Sequence, residues 1–407
     1  KKALFTQYGI AIIATNTWYA KKAIEKLQLK TADEHNGSFN SAQIAEQMAA
    51  ALEVGPTIIT EEVGEVDPIF ADHTDLMEAT YKAPFLAHAP METVSCTALV
   101  TRDGVDIWVG HQSISGVQSA ASHITGIAKE NIRIHTTFLG GGFGRKGELA
   151  IVLRACTVAK AFPGIPVMTL YTREEDMQCS IYRPGSVSKF KAAIGSGGEI
   201  LAWENHVVAQ APMIGGMSRA VPPMDPMPGM ENGVGDGAHF LPYYMAHRKV
   251  GLTIPDLPIE VGLLRSVCNG LNAYFTECFL DECAHKAHQD PLQFRRQKLK
   301  KKPKELAVLD KLAEISQWNR PLAPNRYRGM AIHNSFGSIV GQVAEITQTA
   351  QKEFSIDQFY CVIDCGTAIH PDTVKGQMEG SIIFGLSSAL YGEITWEDGI
   401  VVQQNFP

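Results

Sequence analysis

The 407-residue sequence has little cysteine, no excess of basic residues and no long hydrophobic run. Eight cysteines are too few for a disulfide scaffold in a chain of this length. The 36 Lys and Arg residues against 43 Asp and Glu residues give a net charge of −7, so a nucleic-acid-binding surface is not expected. No apolar run reaches the roughly 18 residues of a transmembrane helix, so we predict that the chain does not span a membrane.

Motifs that bind zinc or iron–sulfur clusters are also missing. The sequence has no H-E-x-x-H or C-x-x-C pattern. Its closest cysteine pairs, Cys278 with Cys283 and Cys361 with Cys365, lack the spacing of iron–sulfur ligands. We therefore predict free thiols, and neither zinc nor an iron–sulfur cluster in this chain.

Both ends of the sequence lack the usual features of natural termini. Lys1 is not an initiator methionine, and no signal peptide is visible after it. Apolar stretches typical of buried strands lie at residues 8–14 and 399–407. Because domains seldom begin and end inside core strands, we expect a fragment that is truncated at both ends.

The rest of the composition is that of a loop-rich globular protein. Hydrophobic residues make up 45% and charged residues 19%, with 36 glycines and 21 prolines. The apolar spacing predicts a β-α-β-α-β order over residues 105–171, with a helix from Glu148 to about Phe162 directly after the glycines. Other predicted elements are strands at 186–195, 199–209, 328–334, 340–348 and 358–364, helices at 272–288 and 371–390, an irregular loop at 211–240, and a solvated basic helix face at 295–302.

The strongest local feature is the glycine loop, residues 140–147, with the sequence GGGFGRKG. Glycines at this density cost conformational entropy, so some partner must require backbone N–H groups without neighbouring Cβ atoms. A strand-to-helix junction supplies such donors, which suits an anion.

Three interpretations of this loop are open on local grounds. Gly142-x-Gly144-x-x-Gly147 matches a dinucleotide fingerprint, although Glu174, the candidate ribose-binding acid, lies 27 residues beyond Gly147. A P-loop is excluded, because no Gly-Lys-Ser/Thr follows. A tight structural turn is the remaining alternative.

Other motifs decide between these interpretations, because together they resemble one family. The loop is similar to that of the molybdenum-containing large subunit of the xanthine dehydrogenase/aldehyde oxidase family, and most similar to the branch typified by isoquinoline 1-oxidoreductase subunit beta. The resemblance extends over nearly the whole chain. Its other segments are FLAHAPME at 85–92, YTREEDM at 171–177, LRSV at 264–267, DEC at 281–283, DPLQFRR at 290–296, VIDCG at 362–366 and GQMEG at 376–380.

The resemblance implies an α+β, multi-domain molybdopterin-binding subunit. Such enzymes hydroxylate N-heteroaromatic compounds or oxidise aldehydes, and the cofactor carries the difficult chemical step. It implies a molybdenum–molybdopterin cofactor, for which the cytosine dinucleotide is one candidate form. It implies no FAD in this chain. Implied partners are a small [2Fe-2S] subunit and a cytochrome c. A periplasmic location is favoured over a cytoplasmic one.

The resemblance also assigns site residues. Gln112 lies 31 residues before Phe143, as does the family glutamine whose amide bonds to a terminal ligand of the metal. Gln112 and Phe143 are the predicted catalytic residues, and no protein atom is expected to ligate the metal directly. The predicted cofactor-binding residues are Gly141, Gly142, Phe143, Gly144, Arg145, Arg265, Ser266 and Gln377.

Two departures from the family pattern bear on activity. Gly147 stands where purine-oxidising members carry a substrate-binding glutamate, so a purine is not the expected substrate. The family's general-base glutamate, in a G-x-G-E segment, does not occur before Pro407, and Glu148, Glu379 and Glu393 do not match it. We therefore expect this chain alone to be inactive.

The predicted domains are a front-domain remnant at 1–78, a first molybdopterin-binding domain at 79–320 and the start of a second at 321–407. Two other functions remain as alternatives. One is a non-catalytic assembly fragment. The other is an NAD-dependent dehydrogenase that uses Gly142-x-Gly144-x-x-Gly147.

Overall fold

The computed structural model describes residues 2–28, 39–350 and 353–406. The helices in these ranges are α1 (Thr17–Ile24), α2 (Ser41–Val54), α3 (Val66–Asp72), α4 (Ile114–Thr125), α5 (Ala150–Lys160), α6 (Arg173–Gln178), α7 (Pro212–Ser218), α8 (Asn269–Lys286), α9 (Pro291–Lys298), α10 (Pro303–Ile315) and α11 (Pro371–Leu390). The strands are β1 (Lys2–Thr6), β2 (Gly9–Ile13), β3 (Ile58–Val63), β4 (Leu76–Ala83), β5 (Ser95–Val100), β6 (Val105–Val109), β7 (Ile132–Thr136), β8 (Val167–Leu170), β9 (Ser186–Ile194), β10 (Ile200–Ala209), β11 (Arg248–Thr253), β12 (Arg326–Ser335), β13 (Ser338–Gln348), β14 (Phe354–Asp364), β15 (Trp396–Glu397) and β16 (Ile400–Val401).

A four-stranded sheet in the order β7-β6-β5-β8 carries the glycine loop at the end of β7. Helices α4 and α5 pack against one face of this sheet, where Ala98 and Ile107 from the strands and Val152 from α5 are fully buried. The predicted β-α-β-α-β order over 105–171 is confirmed. Strands β7 and β8, which flank the glycine loop and α5, lie at opposite edges of the sheet, so they do not form a parallel β-α-β unit.

A five-stranded sheet in the order β3-β11-β10-β9-β4 forms the centre of the molecule. Its largest core contains Phe190 and Trp203 from the sheet and Phe275 and Phe279 from α8, all fully buried. The rings of Phe190 and Trp203 each lie 4.9 Å from that of Phe279. This packing places α8 against the sheet, and the segment before α8 contacts the glycine loop through the bond from the Arg265 N–H to the Phe143 carbonyl.

A three-stranded antiparallel sheet, β12-β13-β14, follows α10 and leads into α11. The predicted strands in this region and the helix at 371–390 are confirmed. After α11 the chain returns to the core, where Ile394 and Trp396 are buried and Ile394 bridges to Phe85.

Three local predictions need correction, in whole or in part. The glycine loop ends in a 3₁₀ turn at Arg145–Gly147, and α5 begins only at Ala150, so the glycines do not lie at the helix N-terminus. The segment at 211–240 contains α7 and a 3₁₀ turn at Met230–Gly235 instead of being wholly irregular. The basic run is a solvated face only in part, because Lys300, Lys301 and Lys302 are exposed but Arg295 is fully buried and pairs with Glu277 and Asp281 at 3.0 and 2.5 Å.

One of the two predicted domain boundaries falls within a strand, and the other falls between two elements. Strand β4 pairs with β9 from residue 76 to residue 83, so a boundary at residue 78 falls within a strand. The boundary at residue 320 falls between α10 and β12. Residues 1 and 29–38 of the predicted front domain, and the terminal Pro407, lie outside the described residues.

Candidate functional site

The glycine loop has a backbone that side chains would disrupt. Gly141 and Gly144 have φ angles of +91° and +106°. A Cβ on Gly142 would lie 2.4 Å from Oε1 of Gln112, and a Cβ on Gly144 would lie 1.7 Å from the carbonyl oxygen of Leu263. Both glycines are therefore required by close contacts with segments distant in sequence.

Gln112 holds the loop from the segment between β6 and α4. Its backbone N–H donates to the Lys146 carbonyl at 2.8 Å, and its side-chain Oε1 accepts from the Gly144 N–H at 3.1 Å. Since an N–H must face an acceptor, the oxygen of the carboxamide faces Gly144 and its Nε2 group points away. The side chain lies at the exposed surface of the loop.

The segment before α8 forms the opposite wall. Arg265 N–H donates to the Phe143 carbonyl at 2.8 Å. The Arg265 guanidinium donates to the carbonyl and to Oε1 of Gln377 at 3.3 and 3.1 Å. It also lies 5.8 Å from the ring of Phe384, which packs 4.9 Å from the ring of Phe143.

These segments enclose a surface that we call the glycine cradle, made of residues 140–144, Gln112, Arg265 and Gln377. In the described part of the chain, the backbone N–H groups of Gly141, Gly142 and Phe143 have no acceptor. Gly142 is buried, and successive N–H groups in alternating conformations form an anion-binding concavity. The arrangement therefore suits a ligand that presents several negatively charged oxygens.

Strained backbone concentrates around the glycine cradle. Phe143, Ser266 and Val267 have φ angles of +55°, +74° and +53°, and Ala89, in the segment behind the loop, has +40°. Such conformations in non-glycine residues cost on the order of 1–3 kcal/mol each and cluster at functional sites. Ser266, a predicted cofactor-binding residue, is exposed beside Arg265.

Arg145 faces the protein interior instead of the cradle. Its guanidinium is 5% exposed and its Nε donates to Asp176 at 3.2 Å. Arg173 donates to the same carboxylate at 3.3 Å and to the Met91 carbonyl at 3.2 Å. The position of the Arg145 side chain does not support its predicted contact with the cofactor, so we assign it to holding the loop from behind.

The segment at 88–92 also supports the loop. His88 is buried, and its Nε2 donates at 2.8 Å to the same Leu263 carbonyl that excludes a side chain at Gly144. Burial lowers the pKa of His88 to about 4, so the imidazole is neutral at pH 7. Its Nδ1 has no partner in the described residues.

Sequence reasoning attached the motif at 85–92 to the family without assigning a contact to it. The signal in the sequence was the motif itself, since His and Glu flanking prolines in a loop are common at functional sites. Two features are missing from the described part of the chain. Its residues contain no group of three or more His, Cys, Asp or Glu placed to hold a metal ion. None of the helices described in residues 2–28, 39–350 and 353–406 is both long and apolar enough to cross a membrane.

The geometry does not favour a dinucleotide site. A dinucleotide fingerprint needs a parallel β-α-β unit with the pyrophosphate at the helix N-terminus. Here the helix after the loop begins at Ala150, beyond the 3₁₀ turn, and its strands are not neighbours. A Cβ on Gly147 would meet no atom within 4 Å, so the third glycine of the fingerprint makes no close packing contact.

Comparison with known families agrees with the motifs. Two profiles of the molybdopterin cofactor-binding domain match residues 51–299 and 282–407. The chain is 26% identical to isoquinoline 1-oxidoreductase subunit beta of Brevundimonas diminuta, over 98% of this chain and 52% of that protein. It is 27% identical to the membrane-bound aldehyde dehydrogenase (pyrroloquinoline-quinone) of Gluconacetobacter polyoxogenes, over 84% of this chain and 47% of that protein. The chain thus spans about half the length of these relatives.

Solved structures share the fold. Quinoline 2-oxidoreductase from Pseudomonas putida 86 matches with a TM-score of 0.77 and 14% identity, over 97% of this chain and 76% of that chain. A Cu,Mo-containing CO dehydrogenase matches with a TM-score of 0.69 and 13% identity, over 87% and 70% of the two chains. Since the profiles cover the segments that build the glycine cradle, the chain belongs to the molybdopterin cofactor-binding family of the xanthine dehydrogenase/aldehyde oxidase type.

Proposed function

We propose that the glycine cradle binds a molybdenum–molybdopterin cofactor and that the protein oxidises an N-heteroaromatic compound or an aldehyde. The observation that carries the proposal is the convergence of Gln112, Phe143, Arg265 and Gln377 on one surface with three unpaired amides. Relatives named for isoquinoline and aldehyde oxidation support the choice of substrate class.

The donors of the cradle fit this group. The cofactor combines a phosphate with an anionic metal centre, and both require N–H donors at close range. Leaving a buried N–H such as that of Gly142 without a partner costs on the order of 1–3 kcal/mol, and an anionic ligand removes that cost. The guanidinium of Arg265 adds a permanent positive charge at the cradle wall.

Each residue has a distinct task in this proposal. When bound, the molybdenum group supplies the two-electron oxidation of the substrate carbon. Gln112, whose Oε1 is held by Gly144, keeps its Nε2 free to donate to an anionic ligand. Phe143 contributes its N–H while its carbonyl is fixed by Arg265 and its ring by Phe384. Arg265 and Gln377 hold α11 against the cradle.

Catalysis, we further propose, needs a general base beyond the carboxylates described here. Glu148 is bound by two hydrogen bonds of 2.9 Å from Arg219, and Glu92 accepts from Lys146 and Gly140. Both carboxylates are therefore already occupied as acceptors for groups of the protein. We expect this chain to bind the cofactor and to turn over substrate only when a G-x-G-E segment is also present.

The finer assignments are proposals that rest on the resemblance. We propose a small [2Fe-2S] subunit as electron acceptor with a cytochrome c beyond it, a periplasmic location, and the cytosine dinucleotide form of the cofactor. The subunit names of the relatives support an assembly of several chains. We also propose two cofactor-binding units that meet near residue 320, with the glycine loop in the first and Gln377 in the second.

Two glycine substitutions in the same loop test the cofactor proposal. The full chain, expressed in a host that makes molybdopterin, is expected to carry molybdenum by elemental analysis and pterin by fluorescence after oxidative release. Gly142→Ala places a Cβ 2.4 Å from Gln112 Oε1 and should lower both contents by about tenfold or more, because about 1.4 kcal/mol is already a factor of ten. The matched control Gly147→Ala meets no atom and should load like the wild type.

Two results contradict the proposal. One is folded wild-type chain that never carries molybdenum or pterin in a host that supplies both. The other is equal loading of the Gly142→Ala and Gly147→Ala proteins, which would place the cofactor away from the loop.

A further inference from the structure

Glu92 contacts the beginning of the glycine loop through both its backbone and its side chain. Its N–H donates to the Gly140 carbonyl at 3.0 Å, and its carboxylate accepts from the Gly140 N–H at 2.9 Å. A Cβ on Gly140 would lie 2.4 Å from the Cβ of Glu92. Gly140 is therefore a glycine because Glu92 approaches it so closely.

The same carboxylate also holds the far end of the loop. The Oε2 atom of Glu92 accepts a hydrogen bond from the ammonium of Lys146, whose side chain is 4% exposed. A nearly buried ammonium without an anionic partner is strongly unfavourable. The carbonyl of Lys146 in turn accepts from the Gln112 N–H at 2.8 Å.

One side chain thus connects residues 140 and 146. The three unpaired amides, those of residues 141–143, lie between these two contacts in the sequence. A loop that is free to move would lose backbone entropy when a ligand orders it, at roughly 1–2 kcal/mol per residue. A loop already held in place avoids part of that loss. The segment that carries Glu92 is fixed independently, since Arg173 donates to the Pro90 and Met91 carbonyls.

We propose that Glu92 is a positioning residue that holds the glycine loop in its ligand-binding conformation before any cofactor is bound. This proposal rests on the proposed function for the identity of the ligand, but the contacts that hold the loop belong to the cofactor-free chain. Glu92 contacts neither the open side of the cradle nor the unpaired amides, so it acts through Gly140 and Lys146.

Amide hydrogen exchange on the cofactor-free full chain tests the proposal directly. The reporters are the protected N–H groups of Gly140, Gly144, Arg145 and Gly147. Glu92→Ala should speed their exchange by about tenfold, while the amides of α8 exchange at the wild-type rate. Glu92→Gln keeps an acceptor oxygen but loses the charge, so its loop exchange rates should lie between those of the wild type and those of Glu92→Ala.

Two further variants keep the test interpretable. Glu314→Ala removes an exposed carboxylate that pairs with Lys311 at 2.8 Å on α10, and should change none of these rates. If Glu92→Ala does not fold because Lys146 is left unpaired, the double variant Glu92→Ala/Lys146→Met removes the buried charge. That variant should still show fast exchange at Gly144, Arg145 and Gly147, whose N–H groups bond to residues other than Glu92.

The outcomes separate this inference from the proposed function. Fast loop exchange in the variants supports the positioning role, even if wild-type chain never loads pterin. Unchanged loop exchange in a folded Glu92→Ala or double variant overturns it, even if the wild type loads fully. Uniformly faster exchange in the loop and in α8 would show a general stabilising role and would also overturn it.

Discussion

Helices α8 and α11 are the two longest helices of the described chain, and they are packed in opposite ways. Ten of the 18 residues of α8 are buried, including Phe275, Phe279 and Leu280. None of the 20 residues of α11 is buried, although residues 382–386 of this helix have the apolar sequence IIFGL. Apolar content therefore does not decide which helix is placed by a core and which by a few specific contacts.

Helix α11 contacts the candidate site through two of its side chains. Gln377 accepts a hydrogen bond from Arg265, and the ring of Phe384 packs against that of Phe143. Helix α8, in contrast, is placed by ring packing against the five-stranded sheet. The comparison indicates that α8 stabilises the core of the five-stranded sheet, whereas α11 presents two side chains to the glycine cradle.

The largest expected difference concerns matched truncations in the two helices. Phe279→Ala in α8 leaves a cavity in a fully buried aromatic cluster and should lower the free energy of unfolding by about 3–5 kcal/mol. Ile383→Ala in α11 removes a side chain that is 67% exposed and should change it by less than about 0.5 kcal/mol. Denaturant unfolding measures both, and a loss of several kcal/mol at Ile383 would break the comparison.

A pH scan should show a second effect at the N-terminal end of α8. His333 bonds to Asn269, and burial lowers its pKa to about 4. Because the unfolded chain then binds a proton more readily than the folded chain, stability is full above about pH 6.5 and falls as pH drops toward 4. His88 acts in the same direction, with a pKa of about 4.

The expected loss attributable to His333 at low pH is on the order of 3 kcal/mol. Unfolding free energies of wild type and His333→Asn, measured from pH 7 to pH 4, should converge as the pH falls. Ile383→Ala serves as the control, and its stability should keep the pH slope of the wild type. Parallel curves for wild type and His333→Asn would rule out this assignment.

Much of the secondary structure could be predicted because periodicity and breakers are local. The β-α-β-α-β order and the bounds of α11 follow from apolar spacing and from Pro371 at the helix start. The site could be named from motifs, and the structure brings Gln112, Phe143 and Gln377 together. Their role in cofactor binding stays a prediction.

The remaining features depend on tertiary contacts that no local pattern encodes. The family resemblance named Arg145 as a cofactor-binding residue, but its side chain bonds in the interior to Asp176, 31 residues away. The positive φ angles of Phe143 and Ser266 are imposed by neighbouring segments. The link from Glu92 to Gly140 spans 48 residues, so only coordinates reveal it.

The smallest predicted effect sharpens the assignment of α11 to the site. Arg265→Met removes two hydrogen bonds to Gln377 and the charge over the Phe384 ring. Global stability should fall by only about 1–2 kcal/mol, since each of the two bonds contributes about 0.5–1.5 kcal/mol. Amides in the first half of α11 should exchange several-fold faster in hydrogen-exchange measurements, with α8 unchanged. Lys375→Met is the matched control, because this lysine on α11 contacts only Glu379 at 3.8 Å, and it should alter neither helix. If α11 keeps its wild-type exchange in the Arg265→Met protein, contacts other than those with the cradle must place it, and the contrast with α8 loses its basis.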